Sequence, residues 1–252
     1  MTDRRPGLTD AYSVKTPDDN RRLYADWAAS YDDGFAGPQD YLLPGHVARA
    51  FAAMGGRGPA LDIGAGTGLL GDHLARLGIG PVDGVDLSPE MLAVAGAKGV
   101  YARLFAGDMT VGLDLPGGAY SGIVSSGTFT IGHLGPAVLA EVVRLAAPGA
   151  VIAVSVNRAH FEAEPFTGAL ARLAGAVRTT ATTVPALSAW CAYSHENGPH
   201  CGTIAHPLAG DGMATNRIFK ADLFRHTLRH DVARLVESRV KCCRAEGRRH
   251  RS

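Results

Sequence analysis

The sequence predicts an α/β protein with a mostly parallel sheet, N-terminal helices ahead of it and an atypical C-terminus behind it. Three observations carry this reading. Between residues 60 and 156, short aliphatic runs alternate with segments of helical periodicity, the pattern of βαβ units feeding a parallel sheet. Within that stretch, Leu61-Asp62-Ile63-Gly64-Ala65-Gly66-Thr67-Gly68-Leu69-Leu70-Gly71 reads as a buried strand end, a glycine-rich turn and the first turn of a helix. Beyond Val177 the alternation fails: residues 179–183 are threonine-rich, then Gly, His and Pro become frequent, and no clear strand pair follows.

The elements follow in order. Residues 18–31 carry Leu23, Trp27 and Tyr31 on one helical face. A second helix over residues 44–54 aligns Val47, Ala50, Phe51 and Met54, and Gly55-Gly56-Arg57-Gly58-Pro59 ends it. The first strand is Ala60–Ile63, its helix residues 69–77, and the second strand Val82–Asp86. Ser88 is placed to cap the next helix, with Pro89 at its first position. Further strands are read at residues 100–105, 120–125 and 150–156, with a helix over 136–146 and a turn at Pro148-Gly149. A weak helical pattern spans residues 222–240. The chain thus divides into a disordered N-terminus (1–17), a cofactor-binding domain (18–177) and an atypical, partly disordered basic segment (178–252).

Composition narrows the function. At 252 residues, 46% hydrophobic and 19% charged, the chain has the make-up of one large folded domain, or one domain with an appendage. It lacks an apolar run of about 18 residues, so no membrane span is expected. Residues 1–19 are polar and lack the apolar core of a secretory signal, so a cytoplasmic location is expected. Net charge is +1, but residues 217–252 hold eleven Lys/Arg against four Asp/Glu, a net of +7, leaving −6 on residues 1–216. That basic tail lacks interleaved aromatics, which favours a solvated end over a nucleic-acid surface. Cys191, Cys201, Cys242 and Cys243 form no C-x-x-C pair. Together with His195, His200 and His206 they match no standard zinc spacing, so no metal is expected.

A helix N-terminus presents unpaired N–H groups and the positive end of a dipole, and glycines let a ligand approach that backbone. Counted from Gly66, the glycines Gly66, Gly68 and Gly71 satisfy the dinucleotide pattern G-x-G-x-x-G; counted from Gly64 the pattern fails. The neighbours discriminate better. Asp62 at the first strand end is placed to receive a cationic amine. Asp86 at the second strand end is placed for ribose hydroxyls. Asp108, in Gly107-Asp108-Met109, is placed to accept from an adenine amino group. Together these placements fit a ligand with an ammonium, one ribose and an adenine, and no phosphate.

The sequence resembles the class I S-adenosylmethionine-dependent methyltransferases, through residues 61–71, Gly84-Val85-Asp86-Leu87-Ser88-Pro89-Glu90-Met91-Leu92, Gly107-Asp108-Met109, and the segments 119–129 and 144–154. Its N-terminal Tyr24-Ala25-Asp26-Trp27-Ala28-Ala29-Ser30-Tyr31-Asp32-Asp33 is similar to the opening of the Williams–Beuren-region methyltransferase-like small-molecule subfamily. The resemblance implies a Rossmann-like sheet. It further implies Gly64, Gly66 and Gly68 beside the cofactor, Asp62 at its amino group, Asp86 on the ribose, and Leu87, Asp108 and Met109 around the adenine. Ser125 and Ser126 would face the methionyl end, and Tyr31 would close over the cofactor from the N-terminal helix or else pack in the core. His133 either acts as a base or substrate-orienting group, or caps the following helix. The family normally finishes its sheet with an antiparallel strand pair, which is not visible here.

The chemistry asks for alignment and water exclusion, because a sulfonium methyl is already electrophilic. No N-P-P-aromatic sequence follows the fourth strand, where Ser125-Ser126-Gly127-Thr128 stands, and this favours a small-molecule acceptor over a nucleic-acid amine. Two alternatives stay open at this point: an NAD(P)-binding oxidoreductase using Gly66, Gly68 and Gly71, and a degenerate, non-catalytic cofactor-binding protein with an altered C-terminus.

Overall fold

Seven strands form one sheet: β1 (Ala60–Ile63), β2 (Val82–Asp86), β3 (Arg103–Ala106), β4 (Tyr120–Phe129), β5 (Ala146–Asn157), β6 (Val177–Pro185) and β7 (Thr215–Leu223), in the order β3-β2-β1-β4-β5-β7-β6. The computed structural model describes residues 6–37, 41–173, 177–185 and 215–223. The first five strands run parallel, and β7 lies antiparallel to both β5 and β6. β1 and β2 begin and end where the hydrophobic pattern puts them. Both lie between neighbours, and all four residues of β1 are buried, as expected for strands covered on both faces.

Eight helices accompany the strands among the described residues: α1 (Leu8–Ala11), α2 (Pro17–Trp27), α3 (Leu43–Ala53), α4 (Leu69–Arg76), α5 (Pro89–Ala97), α6 (Leu139–Leu145), α7 (Arg158–Ala163) and α8 (Phe166–Leu173). The caps are chemical. Thr16 and Asp19 form a reciprocal capping box on α2. The Ser88 hydroxyl accepts from the Met91 N–H at 3.2 Å to open α5. Among the described residues, no helix is long and apolar enough to cross a membrane.

Side chains alternate along each strand, and this sorts the core into two layers. Leu61, Ile63, Ile123, Ile152 and Val154 pack with Leu139, Val142 and Leu145 on one face of the sheet. Ala60, Val124, Val151 and Ala153 pack on the other, beneath Val47, Ala48 and Phe51 of α3 and Leu70 and Leu74 of α4. A third cluster holds Trp27, Ala28, Phe35 and Ala36 against Met91, with Leu23, Tyr24, Tyr31 and Tyr41 around it. It seats the N-terminal segment on α5.

Four expectations are corrected. The strand pair read as absent after Val177 is present: β6 and β7 pair over nine residues, and β7 covers the edge of β5 from Val151 to Asn157. Its Thr-rich and mixed-polarity sequence hid it, because antiparallel strands do not need the continuous apolar run of parallel strands buried on both faces. Pro148-Gly149 does not separate α6 from the strand but lies inside β5, where the register to β4 shifts between Tyr120/Ala146 and Gly122/Val151. The third strand starts at Arg103 rather than at 100. The helix read over 18–31 stops at Trp27 and continues as a 3-10 turn (Ala28–Ser30) and a π-turn (Asp32–Ala36). Cys191, His195, His200, Cys201, His206, Cys242 and Cys243 lie outside the described residues.

Candidate functional site

The carboxyl ends of β1, β2 and β4 open onto a cavity of about 280 Å³, near the small end of the usual range for small-molecule sites. Its floor is the turn from Ile63 to Thr67, its sides are Asp86, Leu87, Gly107, Asp108 and Met109, and Ser126 and Thr128 line the β4 side. Tyr24, Tyr31, Tyr41 and His133 also line it. Gly64, Gly66, Asp86, Leu87, Asp108, Met109, Ser126, Tyr31 and His133 are thus brought to one space from segments distant in sequence.

Two glycines of the turn differ in what they permit. Gly64 has φ +70°, and a Cβ there would collide with the Thr128 hydroxyl. Gly66 has φ +53°, and a Cβ there would meet nothing within 4 Å. The backbone at Gly66 therefore borders open cavity space, where a ligand can approach it directly.

Asp86 holds that turn in place. Its Oδ2 accepts from the Gly66 N–H at 2.8 Å and its Oδ1 from the Ser88 N–H at 2.9 Å. Each carboxylate oxygen has two acceptor sites, so capacity is left for hydroxyl donors in the cavity. Burial raises the Asp86 carboxyl above its ordinary range, opposed by the N–H groups of Ser88, Gly66 and Leu87. Asp108 accepts from the Thr110 N–H at 2.8 Å and from its hydroxyl at 2.6 Å, which fixes the loop that carries Met109.

Asp62, Gly68 and Ser125 do not line the cavity. Strand alternation explains Asp62. It shares the face of Ala60, under α3 and α4, where the Tyr101 hydroxyl donates to its Oδ2 at 2.7 Å. The same hydroxyl accepts from the Gly71 N–H at 3.2 Å. Asp62 is fully buried and its Oδ1 has no hydrogen bond. Burial pushes its carboxyl up to about 7, against the Tyr101 hydrogen bond and assisted by the negative charge of Asp86. Ser125 turns into the core and donates to the Ile63 carbonyl at 2.7 Å. Its neighbour Ser126 faces the cavity, with its hydroxyl beside that of Tyr41.

His133 does not cap the next helix, whose N-cap, Gly135, has no side-chain partner. Its Nδ1 lies 3.0 Å from the Ile131 carbonyl and its Nε2 3.1 Å from the Tyr24 hydroxyl. A carbonyl can only accept, so the proton sits on Nδ1 and Nε2 takes the Tyr24 hydrogen bond. Burial lowers the pKa of His133, with the Ile131 hydrogen bond opposing, which keeps the ring neutral near pH 7. Tyr24 and Tyr31 are pushed well above the ordinary phenol range and Tyr41 up to about 12, all three chiefly by burial.

Sequence reasoning passed over Tyr101, Tyr41, Asp32 and Lys98. Asp32 Oδ1 accepts from the Thr67 hydroxyl at 2.5 Å and Oδ2 from Lys98 Nζ at 2.6 Å. No local spacing signals these pairs, which are 35 and 66 residues apart. Among the described residues, no cluster of His, Cys, Asp and Glu is arranged to hold a metal.

Residues 60–149 match a family described as a methyltransferase domain. Comparison with curated proteins gives no match. Among solved structures, the chain is similar to the Burkholderia thailandensis 1,6-didemethyltoxoflavin-N1-methyltransferase bound to 1,6-didemethyltoxoflavin and S-adenosylhomocysteine: 20% identity, 84% of this chain and 92% of that one, TM-score 0.55. It is similar to the DhpI–SAH complex (17% identity, 83% and 98% coverage, TM-score 0.55). It is also similar to a chain of the Haloferax volcanii complex with the Trm112 methyltransferase activator (18% identity, 81% and 98% coverage, TM-score 0.56). The fold is the Rossmann-like fold of the class I methyltransferases.

Proposed function

We propose that this protein transfers a methyl group from S-adenosylmethionine to a small-molecule acceptor. One observation carries the reading: the open backbone at Gly66, the Asp86 carboxylate and the Asp108-Met109 loop converge on a single cavity lined by half-buried tyrosines. The donor set fits the cofactor. Asp86 has acceptor capacity for ribose hydroxyls, Leu87 and Met109 offer apolar walls to an adenine, and the Ser126 hydroxyl, beside Tyr41, lines the same space. When bound, the cofactor supplies an electrophilic sulfonium methyl.

The chain's own residues do the rest. Tyr24, Tyr31 and Tyr41 shield the site from water, and their raised pKa values keep them as neutral hydrogen-bonding groups. His133, neutral and with its tautomer fixed by Ile131, presents Nε2 toward the Tyr24 hydroxyl; in this reading it orients the acceptor or takes its proton. Asp62 stands behind the glycine turn, where a cationic amine nearby would draw it into its ionised form. The toxoflavin-type methyltransferase among the similar structures is bound to a small molecule, which supports the acceptor class, and residues 24–33 support a place near the Williams–Beuren-region subfamily.

The test is calorimetric titration with S-adenosylhomocysteine beside an Asp86→Ala control. Micromolar affinity, lost in the control, is the expected result. No binding by folded protein, or a thermal shift with NADH instead, would overturn the reading.

A further inference from the structure

We infer that Asp32 is a positioning residue of the cavity, a carboxylate that fastens the N-terminal aromatic segment onto the glycine turn. The inference rests on reading the cavity as a cofactor site. Asp32 directly follows Tyr31 and opens the π-turn that carries Phe35. Its two oxygens reach two different parts of the sheet domain, Thr67 in the glycine turn and Lys98 at the C-terminal end of α5. Thr67 is 2% exposed and lines the cavity, as Tyr31 does. One side chain thus ties a lining residue of the N-terminal segment to a lining residue of the turn.

The surroundings make this tie more than a surface ion pair. The Lys98 and Asp32 side chains are 24% and 31% exposed. Pairs such as Arg21–Asp18, at 49% and 75%, stand in solvent, where ion pairs contribute little. Charge-assisted hydrogen bonds at this depth are the stronger kind. Lys98 also sits where the α5 dipole favours a cation. The apolar packing of Trp27, Phe35 and Met91 holds the segment down but is non-directional. The Asp32 bonds set where it sits. On this inference a ligand leaves by lifting the segment that carries Tyr31, so loosening the tie speeds dissociation in proportion to the opening equilibrium.

The experiment uses the full chain with Lys98→Gln and Asp32→Asn. Lys98 does not line the cavity, so its replacement removes the charge without touching a ligand. Two readouts are taken: amide hydrogen exchange of residues 28–37 without ligand, and the dissociation rate of S-adenosylhomocysteine by stopped-flow competition. Exchange in residues 28–37 should rise in both variants while β1 and β4 amides stay protected. The dissociation rate should rise roughly tenfold, equivalent to about 1.4 kcal/mol. Raising the salt from about 0.1 M to about 1 M, which shortens the screening length severalfold, should speed dissociation from the wild type and barely change Lys98→Gln. Unchanged exchange in both variants would overturn the inference. A wild type that binds no S-adenosylhomocysteine, yet whose variants show raised exchange, would overturn the cofactor reading and leave the tie standing.

Discussion

Replacing Asp62 by asparagine should stabilise this protein at pH 8 and do so much less at pH 5. The carboxyl is fully buried, with one oxygen bonded to Tyr101 and the other unpartnered. Its folded pKa is raised from 3.8 to about 7. The sign follows from which state binds the proton. Between these two values the unfolded chain has released the proton and the folded chain still holds it, so stability falls as pH rises from about 4 to 7 and is flat above. At roughly 1.4 kcal/mol per pH unit, the stretch from pH 5 to 7 costs the wild type on the order of 3 kcal/mol. The amide of the Asp62→Asn variant does not titrate, so its advantage over the wild type should grow by that amount across the interval. Urea unfolding of both proteins at pH 5, 6, 7 and 8 measures the difference directly, with unchanged m-values as evidence that only stability moved. Parallel stability curves would refute the reasoning, because they would mean that Asp62 is ionised when folded. Should the Asp62→Asn variant misfold, Tyr101→Phe serves as a second probe. Removing the hydroxyl that donates to the carboxylate should steepen the loss of stability toward pH 8. If Asp62 also serves a bound ammonium, the more stable Asp62→Asn variant should bind S-adenosylhomocysteine more weakly, the exchange of stability for function seen at many sites.

Gly66→Ala should fold with a loss of only about 1–2 kcal/mol from its positive φ yet lose S-adenosylhomocysteine binding in calorimetry, since its methyl would project into open cavity space. Gly64→Ala should cost about 3 kcal/mol or more in urea unfolding, because the same backbone strain is joined by collision with Thr128. The His133 C2–H resonance should titrate below pH 6.5, as burial lowers its pKa. Below pH 6.5 the unfolded chain then takes up a proton that the folded chain refuses, so stability should fall with pH there, and His133→Gln should remove that part of the slope.

Much of the fold was legible in residues 60–157 because interior parallel strands are apolar on both faces and announce themselves locally. β1 and β2 were read to the residue, and Ser88-Pro89 marked the start of α5 by capping chemistry alone. β6 and β7 were missed for the converse reason: near the edge of the sheet, a strand is defined by its partner's backbone, and Thr179–Thr183 carries no apolar signature of its own. At the site, the sequence by itself determined which residues stand at strand ends around the glycine turn. Gly64, Gly66, Asp86, Leu87, Asp108 and Met109 reached the cavity because a parallel sheet delivers all its carboxyl ends to one edge. What the tertiary structure alone decided is orientation and pairing. Asp62 was taken from the cavity by the two-residue alternation of β1 and by Tyr101 arriving from beyond α5. Ser125 and Ser126 were assigned opposite faces by the same alternation. Asp32 found Thr67 and Lys98 only once the aromatic segment had docked on α5, a contact between residues 66 apart that no local pattern encodes.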